Sequence, residues 1–312
     1  MPAVRVLALA ILCLALGLLA VALGRDGIGL GQNGEWVLIR LPRVLGALAA
    51  GWALGIAGCA QQGLFRNPLA DPGLTGVFGG ALLGVTLLLC AAPDLAWDNR
   101  WSLPIAAAAG ALAAMSALLA LGRGRSVAGL LLAGLGINAL AGAATLLAMT
   151  WAEGERGSIV TAQLGGWLGM LTPELAALPS LIGIVAGLLL LTQARGLDRL
   201  ALGEAAARHS GTDPAAAARQ IAGLTAVAAG AATCLCGQVA FVGLLAPHLA
   251  RGLVGPAHRW AMPTAGLCGA LLVLTADTLG RTALPERNLP ASALIALIGA
   301  PAFIWLARRH HG

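Results

Sequence analysis

Ten runs of apolar residues, each near the length of one bilayer crossing and each closed by Arg, Asp, Gly or Pro, take up almost the whole chain. A crossing helix needs about 20 such residues, and the runs predict helices over 5–24, 44–63, 74–91, 103–121, 127–149, 178–192, 215–237, 241–254, 262–282 and 289–307. With 59% hydrophobic and 10% charged residues, against roughly a quarter charged in soluble domains, the surface must be solvated largely by lipid. The expected fold class is an all-α polytopic membrane protein of about ten transmembrane helices. At 312 residues, residues 1–312 are expected to form one transmembrane domain, with no length left over for a soluble one. The first run is read as a retained helix, since it is longer than the apolar core of a usual signal peptide.

All 19 basic residues are arginine, because the chain contains no lysine. A phosphate-cradling G-x-x-x-x-G-K-[ST] loop needs its lysine, so this chain holds no such nucleotide site, and any ATP that drives it is hydrolysed by another polypeptide. No catalytic residue set, cofactor site or metal-ligand spacing is found. The cysteines fall mostly in apolar runs, where they behave as small hydrophobes. Cys234 and Cys236, two apart on a helix, point to different faces. The net charge of +6 reports membrane orientation rather than nucleic-acid binding, since Lys and Arg accumulate on the cytoplasmic side. An N-terminus inside puts twelve arginines in inner segments and seven in outer ones, while Asp26, Glu35, Asp94, Asp98, Glu153, Glu155, Glu174 and Glu286 all fall outside. Both termini are therefore expected in the cytoplasm.

Several features interrupt the apolar background. The run over 241–254 is short and carries Pro247 and His248 near its middle; backbone freed by a break must be satisfied by protein or a water-lined cavity, so this segment is expected inside the bundle. Asp277 is the one carboxylate within a predicted span, a functional hypothesis by default, but no second acid or histidine lies at its depth, which favours a structural hydrogen-bonding role for it and for His248. Asn67, Asp71 and the prolines after them define a tight inner turn. Gly51-x-x-x-Gly55 and Gly80-x-x-x-Gly84 have the spacing that lets helix backbones approach closely. Between the sixth and seventh runs, residues 199–210 can form a short amphipathic helix, with Leu200, Leu202 and Ala206 on one side and Glu204, Arg208 and His209 toward another.

The strings Leu41-Pro42-Arg43, FRNPLADPG from Phe65, LALGEAAARHSG from Leu200, FVGLLAPH from Phe241, Ala276-Asp277-Thr278 and Ile298-Gly299-Ala300-Pro301 stand in a set order. In that order and spacing, over almost the whole chain, the sequence resembles the FecCD-type permeases of bacterial ABC importers for iron-siderophores, haem and cobalamin. The resemblance implies the type II ABC importer permease fold, in the bacterial inner membrane. It implies a homodimer embedded in lipid around a central pathway, an ABC ATPase dimer beneath and a periplasmic substrate-binding protein above. Arg40, Arg43 and Arg281 match arginines that receive acidic residues of the binding protein, with Arg287 a weaker fourth; read from sequence alone, they serve equally as interfacial arginines reaching from helix ends. Residues 195–214 match the coupling loop that sits in a groove of the ATPase, with Leu200, Leu202, Gly203, Glu204, Ala207 and Arg208 as its contact residues; the bland reading is a solvated connector. The small-residue fifth helix, with Asn138, Gly142 and Thr145, resembles the wall of the pathway.

The implied cargo is an iron-siderophore or haem, toward which Ile137-Asn138-Ala139-Leu140-Ala141-Gly142-Ala143 leans slightly, with cobalamin the alternative. Two stretches depart from the family pattern: Leu289-Pro290-Ala291-Ser292 and the outer loop over 151–171. An ion-coupled secondary transporter would show paired intramembrane charges or broken helices in related halves, and only Asp277 answers that description. An intramembrane enzyme would need a nucleophile and base at one depth, which the five histidines, mostly in loops or the tail, do not supply.

Overall fold

A computed structural model of the chain describes residues 2–24, 27–28, 36–121, 127–151, 168–283 and 289–309. Among the described residues thirteen helices follow one another: α1 (Pro2–Ala22), α2 (Leu41–Leu64), α3 (Val77–Ala91), α4 (Pro93–Asp98), α5 (Ser102–Leu121), α6 (Val127–Trp151), α7 (Pro173–Thr192), α8 (Ala194–Ala201), α9 (Glu204–His209), α10 (Pro214–Cys236), α11 (Val242–Val254), α12 (His258–Thr282) and α13 (Ala291–Arg309). Seven are long and apolar enough to cross a membrane, and α3, α11 and most of α13 are shorter apolar helices. Each predicted run thus corresponds to one helix of an all-α, multi-pass membrane fold. A two-residue ladder pairs Leu23–Gly24 with Gly27–Ile28.

Helix α2 is the axis of the bundle. Its span is 83% buried, against 22% for α1 and 17% for α6, and α7, α10, α11 and α12 pack around it. Lipid tails are as apolar as leucine, so helices associate in a bilayer through close packing rather than through exclusion from water. The Gly and Ala surface of α2 allows this. A Cβ at Gly51 would run into the Gly269 carbonyl of α12, one at Gly55 into that of Ala265, and one at Gly58 into that of Gly243 on α11. Gly80 and Gly84 of α3 meet Gly110 and Ala106 of α5 in the same way. Both small-residue pairs noted in the sequence therefore seat helices within the chain. The periphery is apolar: Val4, Leu14 and Leu18 of α1 and Leu132, Leu140 and Leu147 of α6 are all more than 60% exposed, a face that only lipid or protein can cover.

Several boundaries lie earlier than the sequence suggests, each for a local reason. Helix α2 starts at Leu41, with Pro42 in the first turn, where its fixed φ suits the helix and no intrahelical donor is lost. Helix α7 starts at Pro173 because Thr172 accepts from the Leu175 N–H at 3.4 Å, and it runs on through Pro179. Helix α12 starts at His258, whose N–H donates to Asp198 Oδ1 at 3.1 Å.

Helix α11 meets the expectation for the short segment on one face only. Val242, Leu244, Ala246, Pro247 and Ala250 are buried, but His248 and Leu249 are exposed. Proline at 247 cannot donate to the carbonyl four residues back. That carbonyl, of Gly243, accepts instead from Gln62 Nε2 of α2 at 3.3 Å. The freed backbone group is satisfied by protein, as membrane depth requires.

The segment expected to be one amphipathic helix is two, α8 and α9, divided at Gly203 with φ 112°. Leu200 is buried while Leu202 is 78% exposed, so the two leucines do not share a face. Likewise Ala207 is buried and Ala206 exposed. The left-handed glycine resets the helical register between them.

Candidate functional site

Three polar clusters stand out, at the two ends of the bundle and along α6. At one end of the bundle, Arg43 in the first turn of α2 faces Asp277 in the last part of α12. Its Nε donates to Oδ1 at 3.0 Å and Oδ2 at 2.8 Å, and its Nη2 to Oδ1 at 2.8 Å. Asp277 is buried and Arg43 nearly so, at 3% and 11% side-chain exposure. Arg281, one turn beyond Asp277, is itself buried, and its guanidinium donates to the carbonyls of Leu23 and Ala20. Arg40 donates to the Val21 carbonyl at 3.4 Å. The last carbonyls of a helix lack intrahelical partners and carry partial negative charge; two arginines thus close the end of α1 while a third holds Asp277. The structure brings Arg40, Arg43, Arg281 and Asp277 into one network. Arg287 lies outside the described residues.

Along α6, Asn138 is a cap supplied across helices. Its Oδ1 accepts from the Gly79 N–H at 3.1 Å, in the first turn of α3, and its Nδ2 donates to the Gly73 carbonyl. With the side-chain amide fixed this way, Asn138, Gly142 and Thr145 line one cavity of about 390 Å³, shared with Phe78, Leu82 and Gln238. Thr145 Oγ1 is buried without a hydrogen-bond partner. A Cβ at Gly142 would meet nothing within 4 Å, so that stretch of the wall is open. His248 is placed elsewhere, in a groove of about 590 Å³ with Leu9, Leu253 and Thr275, between α1, α11 and α12.

At the opposite end of the bundle, the turn after α2 and the segment α8–α9 come together. Asp198 of α8 takes two bonds on Oδ1, from the His258 backbone N–H and from His258 Nδ1 at 2.6 Å. His258 is buried, and Gly63 of α2 packs against its ring with no space for a Cβ. Three helices therefore meet at one histidine. Arg251 of α11 donates to Gln62 Oε1 at 2.6 Å, the amide that also serves Gly243. Asp71 is buried in the α2–α3 turn and accepts from the Gly73 N–H at 2.6 Å; burial pushes its carboxyl up from 3.8 to about 6, with the Gly73 bond pulling the other way. Leu197 and Leu200 anchor α8, and Ala207 anchors α9, while Leu202 and Arg208 are exposed between and beyond them.

Sequence reasoning did not find Gln62, Asp198, Arg251 or His258 as partners, nor Arg43 as the partner of Asp277. Asp198 and His258 are 60 positions apart, Gln62 and Arg251 are 189 apart, and Arg43 and Asp277 are 234 apart. No local pattern joins residues so separated.

Comparisons with known proteins agree in kind. The model of the FecCD transport family matches residues 6–309. The hemin transport system permease protein HmuU of Yersinia pestis is 40% identical over 288 residues, covering 88% of this chain and 83% of that protein. The vitamin B12 import system permease protein BtuC of Vibrio cholerae is 36% identical over 278 residues, covering 88% and 82%. A solved structure of a metal-chelate type ABC transporter in an inward-facing conformation superposes with a TM-score of 0.85 at 26% identity, over 99% of each chain.

Proposed function

Because the chain belongs to the FecCD transport family, we propose that it is the permease subunit of an ABC importer and carries a ferric siderophore or haem across the bacterial inner membrane, with cobalamin the alternative. The observation that carries this is the match of a transport family model over 6–309 on a fold of ten apolar helices. Energy then comes from an ATPase dimer at the inner end and cargo from a binding protein at the outer end. Haem has the added support of a hemin permease at 40% identity.

Site roles follow the two ends of the bundle. At the outer end three arginines meet one aspartate, so the cluster is net positive even with Arg43 and Arg281 held on internal partners, and its field suits acidic groups of a docking protein, because opposite charges speed encounter and fix register. Arg40, Arg43 and Arg281 serve there, with Asp277 as an internal structural partner. At the inner end Leu200, Leu202, Gly203, Glu204, Ala207 and Arg208 form the coupling element. Exposed Leu202, carried between two anchored helices, offers the apolar contact for an ATPase groove. The wall of Asn138, Gly142 and Thr145 on α6 forms half of a pathway completed by a second copy of the chain. That copy would cover the exposed apolar face of α6. Both termini lie in the cytoplasm, as the arginine distribution supports.

The test is reconstitution of the chain with its ATPase and binding protein in vesicles, comparing ATP-dependent accumulation of haem, a ferric siderophore and cobalamin. Accumulation of one of these only when ATP and the ATPase are present is the expected result. Accumulation by this chain alone would overturn the proposal.

A further inference from the structure

Helix α2 ends in a Schellman motif: the Asn67 N–H donates to the Gln62 carbonyl at 3.1 Å and the Arg66 N–H to the Gly63 carbonyl at 3.3 Å. The donor of the second bond, the C′ residue, must be left-handed, a place usually taken by glycine because a Cβ is strained there. Here it is Arg66, at φ 46°. Its side chain is exposed and makes no hydrogen bond among the described residues. The folded chain therefore carries a strained residue whose side chain does nothing for the fold.

What that side chain lines is a cavity of about 520 Å³ at the inner end. The second cation there is Arg251, half-buried, with one guanidinium nitrogen fixed on Gln62 Oε1. Asp198 and Ala201 of α8 form the opposite wall. The Asp198 Oδ1 is already engaged twice by His258, so positive charge is in surplus. The cavity opens beside the coupling element and shares α8 with it.

We propose that this cavity is a second contact for the ATPase subunit, receiving an acidic side chain of that subunit between Arg66 and Arg251. The assignment rests on the reading of α8–α9 as the coupling element. Charge complementarity identifies the chemistry, since a guanidinium fork binds a carboxylate through two parallel hydrogen bonds and a second arginine adds to the local positive charge. Continuity with α8 identifies the source. An apolar peg at Leu202, just past α8, and an ion pair at Arg66, across the cavity that α8 lines, would hold the element at two points rather than one.

Arg66→Gly separates this role from a structural one, because glycine relieves the strain while removing the charge. In detergent or nanodiscs, the variant is expected to unfold at the same temperature as the wild type or higher. Its affinity for the purified ATPase should fall by roughly tenfold or more, with a weaker dependence on salt, and Arg66→Lys should restore part of it. Unchanged ATPase affinity in Arg66→Gly would overturn the proposal. So would a loss confined to binding of phosphatidylglycerol over phosphatidylcholine nanodiscs, which would assign the cavity to a lipid headgroup. Leu202→Glu tells the two readings apart. If it releases the ATPase and Arg66→Gly does not, the second contact alone fails; if neither does, the coupling element fails with it.

Discussion

The guanidinium of Arg43 grips both carboxylate oxygens of Asp277 at 2.8–3.0 Å, joining the start of α2 to the last part of α12. Both groups are nearly buried, and a buried pair loses far more when one partner is removed than it contributes as a pair. Asp277→Ala should therefore cost about 3–5 kcal/mol of stability. Replacing both residues, as in Arg43→Met with Asp277→Leu, should restore much of the loss. Thermal unfolding in detergent, arranged as a double-mutant cycle, checks this; a cycle with no coupling would show that the two side chains stabilise the fold independently.

Glycines in this chain divide by what surrounds them, and substitution should expose the division. At Gly51 an added methyl has no space against the backbone of α12, whereas at Gly136 it would meet nothing within 4 Å. Gly51→Ala is expected to cost about 1–3 kcal/mol or more through forced separation of the two helices. Gly136→Ala should be neutral or gain up to about 1 kcal/mol in helix propensity. Comparing the unfolding temperatures of the two variants is sufficient; equal losses would remove the packing account of α2 and α12.

Asp71 gives the turn between α2 and α3 a pH dependence whose sign follows from its burial. Burial raises its carboxyl from 3.8 to about 6 in the fold, so the folded chain favours the protonated form. That contribution is complete below about pH 4, where folded and unfolded chains both hold the proton, and it is lost as pH rises through 6. The interval corresponds to about 3 kcal/mol. Asp71→Asn keeps the acceptor for Gly73 without the titration, so from pH 4.5 to 7 its unfolding temperature should fall less than that of the wild type. Parallel curves would mean that Asp71 is solvated in the working protein.

The fold was legible where the bilayer imposes length: each of ten apolar runs is a helix, and Gly51, Gly55, Gly80 and Gly84 lie at helix contacts. What escaped is what the third dimension decides. Gly203 was visible as a residue, but not as the point where α8 and α9 change register and leave Leu202 exposed. Pro247 could be read as a defect, yet the donor that repairs it, Gln62, stands on another helix. Asn138 looked like part of a pathway wall, and its amide proves to be engaged on Gly73 and Gly79. A polar residue in an apolar run signals that a partner exists; only packing says which one.

The joint of Asp198 and His258 supplies the last prediction. Asp198 ties α8 to the first residue of α12, His258 packs on Gly63 of α2, and α2 and α12 are close-packed along their length and joined again at Arg43 and Asp277. On the coupling role proposed for α8–α9, a displacement of α8 by an ATPase would move α2 and α12 together, as packed elements shift in switching transitions. Asp198→Ala removes the tie without touching Leu202 or the outer network. ATP hydrolysis by the reconstituted importer should persist, while cargo moved per ATP falls several-fold. Asp198→Asn, which can still accept from both His258 donors, should retain most of the coupling. If transport and hydrolysis instead fall in proportion, the joint serves assembly rather than transmission, and the force must reach α12 by another route.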